Sequence, residues 1–223
     1  VSFRADGEHL AIDLPGGTAL FTTRRGGVSE GPFASLNLGL ATDDDDERVR
    51  ANRDRVLART GAARLAQAYQ VHGTTVAVDA DERVEADGQV TTRPGVAAIV
   101  LTADCLPVAL AGPDAIGVVH AGWRGLAAGV LEAGVAATGA VAAAIGPGIG
   151  PCCYEVGDDV RAVFGTTGRT LDLKAIARAR LQAAGVAEIH DCGLCTACDA
   201  DRFFSHRRDR GVTGRQAGLA WRS

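Results

Sequence analysis

The chain has 223 residues, enough for a large buried core and far more than a disulfide-stapled miniprotein needs. Apolar residues make up 47% and charged residues 22%, a balance that excludes disorder of the whole chain. With 23 Lys and Arg against 27 Asp and Glu the net charge is −4; the basic residues are scattered, so the face that would grip nucleic acid is missing and a small substrate, uncharged or modestly anionic, is left open.

The N-terminal VSFRADGEHL lacks the charged-then-apolar plan of a secretory signal. No run approaches the roughly 18 consecutive apolar residues of a membrane span. A cytoplasmic protein with no membrane partner is therefore expected, and in a reducing compartment its six cysteines point to metal binding or catalysis before disulfides.

Residues 43–47 form an acidic run, followed at helical spacing by Val49, Asn52, Arg53, Val56, Leu57 and Thr60. Acidic residues suit the positive end of a helix dipole, so a helix start is predicted there. A cation site in 43–46 is the sharper alternative, but the run lacks the Gly and distal Glu of a calcium loop. Short apolar runs predict strands over 76–78, 96–101, 108–110, 116–119 and 141–145. A helix is expected from about 126 to 137, with a boundary near Gly139. Another opens behind Asp172 as cap, buries Leu173, Ile176, Ala177, Leu181 and Ala184, and stops at Gly185. Neither a repeat nor a long linker divides the chain, so residues 1–223 are read as one α/β domain with strands and helices in layers.

Three polar segments interrupt apolar runs where strands should end: 70–73 (QVHG), 102–107 (TADCLP) and 120–125 (HAGWRG). Such strand ends are where α/β proteins place their sites. His72, Cys105 and His120 offer two imidazoles and a thiolate, a donor set that suits Zn²⁺, with Cu²⁺ as competitor. Three ligands leave a fourth position for water, whose pKa a metal lowers toward about 7. The spacings of 33 and 15 residues form no local metal signature, so the residues alone leave open both a ligand set and buried structural Cys and His.

Residues 144–151 (AIGPGIGP) are backbone that can approach a ligand closely. They contain neither a Walker loop nor the dinucleotide spacing, so ATP and NAD are unsupported. Cys192, Cys195 and Cys198 recur at intervals of three, a spacing that can hold zinc or cycle redox. Because only His190 or His206 stands near as a fourth ligand, buried thiols packing as small hydrophobes are the preferred reading.

The segments 23–29 (TRRGGVS), 35–39 (SLNLG), 70–73, 102–107, 120–125, 145–150 (IGPGIG), 152–157 (CCYEVG) and 203–208 (FFSHRR), taken in order, resemble the purine nucleoside phosphorylase family also described as polyphenol oxidoreductase laccase and as peptidoglycan editing factor. The resemblance implies an α-β-β-α layered sandwich and a zinc site on His72, Cys105 and His120. It also implies an enzyme that cleaves adenosine, inosine and methylthioadenosine with phosphate and deaminates adenosine, so its partners would be nucleoside and phosphate; it says nothing of protein partners. Runner-up activities are removal of misincorporated serine from a peptidoglycan precursor and copper-dependent phenol oxidation. The last meets a physical objection, since passing electrons to oxygen needs several copper centres and the chain has five His and no Met. A non-enzymatic binding module with a structural metal is the remaining alternative.

Within this frame Arg24 and Arg124 are expected to hold phosphate or ribose, with Asn37 orienting the substrate. Asp104 or Glu155 would shuttle protons during deamination. Structural pairing of the two arginines with Asp104 or Glu155 competes with that role.

Overall fold

Period-2 alternation along buried strands decides how this chain is layered. The computed structural model describes residues 2–222. Its elements are β1 (Arg4–Asp6), β2 (His9–Leu14), β3 (Gly17–Phe21), a 3-10 turn (Gly31–Phe33), α1 (Asp46–Thr60), β4 (Arg64–Gln67), β5 (Val76–Val78), β6 (Gly88–Thr91) and β7 (Val96–Thr102). There follow β8 (Leu106–Ala111), β9 (Ile116–Ala121), α2 (Trp123–Ala128), α3 (Val130–Thr138), β10 (Ala142–Ile145), α4 (Asp158–Phe164), α5 (Leu173–Ala183), β11 (Glu188–Asp191) and β12 (Gln216–Arg222).

The strands form two six-stranded sheets, ordered β1-β2-β3-β12-β7-β4 and β11-β10-β8-β9-β6-β5. Both are mixed: β4 with β7, β5 with β6 and β10 with β11 run parallel, and the other pairs antiparallel. The sheets stack through small side chains. Ala19, Phe21, Ala98, Val100 and Ala220 of one meet Ala109, Ala111, Val118, Ala142 and Ala144 of the other. Gly218 in β12 lies so close to the opposite sheet that a Cβ there would stand 2.6 Å from the Pro107 Cβ.

The alternate residues face helices. Leu106, Val108 and Leu110 of β8 pack with Leu126 of α2, Val130 and Leu131 of α3, and Leu173, Ala177 and Leu181 of α5. On the other side, Leu20, Ile99 and Leu219 pack with Val56 of α1. The order helix, sheet, sheet, helix is the layered sandwich that the resemblance implied. No helix among the described residues is long and apolar enough to cross a membrane.

The acidic run does start α1: the Asp45 side chain accepts the N–H of Glu47 and Arg48 at 2.8 and 3.1 Å, and Gly61 ends the helix at φ 67°. The single helix expected over 126–137 is two, because Gly129 sits at φ 100° between α2 and α3. Gly139 closes α3 where the sequence placed the boundary. Asp172 caps α5 by accepting the Ala175 N–H at 3.0 Å, although Ile176 and Ala184 are half-buried rather than buried. The strands β1, β2, β3, β4, β6, β11 and β12 went unpredicted; the alanines and glycines of β2, β3 and β12 carry little strand signal.

Candidate metal centre and the cavity above it

Pairing of β8 with β9 sets Pro107 opposite His120, which brings Cys105, just before β8, to the same end of the hairpin as His120. His72 arrives from the loop between β4 and β5, in the left-handed region at φ 60°. The ligand atoms of His72, Cys105 and His120 all lie within 4.8 Å of one another. The two imidazoles meet edge to face, with centroids 4.8 Å apart and an interplanar angle of 76°. His120 is buried, Cys105 half-buried and His72 exposed, so the cluster opens to solvent on the His72 side.

The residue that assembles this cluster is Asp87, at the entry to β6. Its carboxylate is fully buried and accepts the backbone N–H of Val71, His72 and Gly73 at 3.1, 3.0 and 2.7 Å. It also accepts the His120 Nδ1–H at 2.7 Å, while its carbonyl takes the His120 backbone N–H at 2.7 Å. Burial opposes the charge of Asp87, but the hydrogen bonds from His120 and Gly73 outweigh it and hold the carboxyl below its ordinary range. Sequence reasoning missed Asp87, because an Asp-Gly pair before a strand carries only a turn signal.

With Nδ1 engaged, His120 presents Nε2 to the cluster, the arrangement that metal-ligating histidines adopt. Burial disfavours charge on both Cys105 and His120. Their mutual attraction prevails, lowering the Cys105 thiol's pKa and raising that of His120, helped by Asp87. Gly122 keeps the space clear: a Cβ there would stand 2.9 Å from the Cys105 Sγ and 3.2 Å from the His72 Cδ2. A thiol whose ionisation is favoured, an oriented imidazole and a second, accessible imidazole fit a divalent ion with one coordination position left over.

Above the cluster lies a cavity of about 680 Å³ that His72, Cys105 and His120 help to line, a size that suits a small-molecule ligand. Three arginines line it, Arg83, Arg207 and Arg215. Arg83 covers the Tyr69 ring at 4.1 Å and Arg207 the Tyr154 ring at 5.2 Å, and both rings line the same cavity. Thr102 also belongs to the lining, and its hydroxyl is buried without a hydrogen-bond partner.

The other residues expected at the site are placed differently from one another. Asp104 lines the cavity, held at φ 90°. One of its carboxylate oxygens accepts the Thr196 hydroxyl at 2.6 Å and the other the Arg207 N–H at 2.7 Å. Its carbonyl accepts the Ile149 N–H at 2.8 Å. Asp104 thus ties together the segments around Cys105, the glycine-rich turn, Thr196 and Arg207. Asn37, fully buried, donates to Thr42 Oγ1 and Asp44 Oδ2 at 2.8 and 2.9 Å. Its own oxygen accepts the N–H of Gly39 and Arg215 at 3.0 and 2.8 Å, so it shapes the cavity wall from behind.

Arg24, Arg124 and Glu155 stand outside the lining. Arg24 donates to the carbonyls of Ala34 and Ala200 at 2.7 and 3.1 Å and covers the Phe204 ring at 4.6 Å. Arg124 is exposed and lies over Trp123 at 4.3 Å. The Glu155 carboxylate is exposed and pairs with Arg169 at 3.4 Å. The cations in the cavity are thus Arg83, Arg207 and Arg215, of which only Arg207 falls within a segment singled out from the sequence.

The family profile described as multi-copper polyphenol oxidoreductase laccase matches residues 18–223. A Pseudomonas aeruginosa protein named purine nucleoside phosphorylase is 43% identical over 91% of this chain and 92% of its own length. An Escherichia coli protein, YfiH, with the same descriptive name is 37% identical over 92% of this chain and 94% of its own. The crystal structure of a Neisseria meningitidis protein superposes with a TM-score of 0.90 at 38% identity, covering 97% of this chain and all of that one.

Proposed function

The protein belongs to the multi-copper polyphenol oxidoreductase laccase family, and on that footing we propose that it is a zinc-dependent purine nucleoside phosphorylase, cleaving adenosine, inosine and methylthioadenosine with phosphate. The names of its relatives support an enzyme of this kind. The observation that carries the reading is the cavity, where three arginines and two tyrosines stand over the His72, Cys105 and His120 cluster.

Phosphorolysis requires an anion held in line with the anomeric carbon while negative charge gathers on the departing base. Arg207 and Arg215 supply the fixed positive charge that binds phosphate, each already braced by carbonyls: Arg207 donates to Glu155 O at 2.8 Å, and Arg215 to Thr213 O and Gly214 O at 2.9 and 3.0 Å. The Tyr69 ring backed by Arg83 offers a stacking face for a purine and a cation against the charge it acquires. His72, Cys105 and His120 would hold the Zn²⁺, which when bound supplies Lewis acidity and an acidified water. Asp87 keeps His120 in the tautomer that such binding needs.

The same donors would accept copper. Oxidation of phenols by oxygen would require further copper centres, and among the described residues the other gathered ligand set holds only cysteines. For deamination, the second reaction we assign to this pocket, a carboxylate must pass protons. Both oxygens of Asp104 already accept hydrogen bonds and Glu155 lies outside the cavity, which favours phosphorolysis as the principal reaction.

The test is incubation of zinc-loaded protein with adenosine, in phosphate and in a non-nucleophilic buffer, with products identified by mass. Free adenine with ribose 1-phosphate in phosphate alone is the expected result. Base release that ignores phosphate would replace phosphorolysis with hydrolysis, and no turnover of adenosine, or of inosine and methylthioadenosine under the same conditions, would overturn the reading.

A further inference from the structure

Four thiols that this reaction does not use converge elsewhere on the molecule. Cys152 and Cys153 follow the glycine-rich segment, and Cys195 and Cys198 end a Cys-x-x-Cys turn beyond β11. Their Sγ atoms all lie within 4.8 Å of one another, with Cys198 3.3 Å from both Cys152 and Cys153. All four are free thiols. Cys192, which the sequence spacing grouped with Cys195 and Cys198, is not part of the gathering; the vicinal pair from a distant segment takes its place.

The gathering is built by the backbone. The N–H groups of Cys153 and Tyr154 both donate to Gly150 O at 3.0 Å, and Asp199 N–H donates to Cys195 O at 3.2 Å. Thr196 N–H donates to Gly148 O at 3.1 Å, which fastens one turn to the other. Gly150 N–H points at the Cys195 Sγ at 3.1 Å, as backbone donors do where sulfur carries negative charge. A Cβ on Gly150 would lie 3.3 Å from both the Cys152 Sγ and the Cys195 Cβ, so the absent side chain leaves the turns room to close. Tetrahedral zinc at about 2.3 Å from each thiolate puts neighbouring sulfurs about 3.8 Å apart, within the spread found here. A disulfide needs about 2.05 Å and joins only two sulfurs.

We propose that Cys152, Cys153, Cys195 and Cys198 form a second metal site, a closed tetrathiolate centre for one structural zinc ion. Four protein ligands leave no position for substrate or water, so this ion holds the fold and takes no part in the reaction. Each thiol gives up its proton as it binds. Two consequences reach the catalytic cavity. Thr196, between two of the ligands, donates to Asp104, the neighbour of Cys105, and Tyr154, next to Cys153, lines the cavity itself. The structural ion thereby braces both the loop that presents Cys105 and one aromatic wall.

The full chain, reconstituted with zinc under reductant, freed of excess metal and analysed for metal content, should hold two zinc ions. His72→Ala should hold one, and Cys152→Ser combined with Cys198→Ser should also hold one. Cobalt substituted into His72→Ala should show the intense thiolate-to-metal charge-transfer absorption of a four-sulfur centre. Since His72→Ala leaves all four thiols intact, its result stands whether or not the cysteine variants fold. A His72→Ala protein devoid of zinc would overturn the proposal. So would rapid reaction of all four thiols with a thiol reagent in the folded, zinc-loaded protein, or two disulfides found by mass under reductant.

Discussion

Asp87 shows how one buried carboxylate can define a site without touching the ligand. Three consecutive N–H groups and the His120 ring converge on it, so the His72 loop and the β9 histidine are fixed by the same two oxygens. Asp87→Asn keeps the volume but loses the charge and one acceptor, leaving at least one of these donors unpaired. Zinc affinity at the cluster of His72, Cys105 and His120, measured by chelator competition against the unsubstituted protein, is expected to fall by about 10- to 100-fold. Unchanged affinity would reduce Asp87 to a structural residue. His72, Cys105 and His120 could be singled out because His and Cys at strand ends offer metal-binding chemistry, although their spacing left a structural role equally open. Asp87 was hidden because its function lies in contacts across 15 and 33 residues of sequence. Arg24 and Arg124 illustrate the converse: an arginine in a recognisable motif says nothing about which carbonyl or ring it serves.

At the level of elements, caps were more readable than strands. Asp45 and Asp172 begin helices as their side-chain chemistry demands, whereas β12 reads QAGLAWR, a composition that does not announce a strand. Its small residues follow from its position between β3 and β7, with Gly218 pressed against the facing sheet. Only the tertiary structure supplies that reason. The split between α2 and α3 has a local cause that the apolar periodicity concealed. Gly129 donates its N–H to Gly125 O and Leu126 O in the left-handed region at φ 100°, a conformation in which a Cβ is strained. Gly129→Ala is expected to destabilise the fold by about 1–2 kcal/mol. At roughly 2–4 °C per kcal/mol for a chain of this size, thermal unfolding should register the loss. An unaltered or raised midpoint would mean that one continuous helix is tolerated.

Across the whole molecule, the motifs scattered along the sequence prove to be parts of one junction. Asp104 bonds to Thr196, to the Arg207 N–H and to the Ile149 N–H, while Asn37 holds Arg215 and the 39–44 loop. Two stacked sheets carry this junction at the end of the β8–β9 hairpin, where Cys105 and His120 emerge together. The layered architecture was available from the sequence through the resemblance, but of the three arginines of the cavity only Arg207 lay in a segment the sequence singled out. Arg83 comes from the connection between β5 and β6, and Arg207 and Arg215 from the long connection between β11 and β12; only folding makes them neighbours of one space. The proposed function requires that this space and the cluster below it act as one catalytic centre. The most direct measurement is the initial rate of hypoxanthine release from inosine in phosphate by zinc-loaded wild type and by Cys105→Ala. The expected result is a loss of about 10²-fold or more in the variant, with the fold retained by circular dichroism. Equal rates would contradict a catalytic role for the cluster and place the chemistry elsewhere on the molecule.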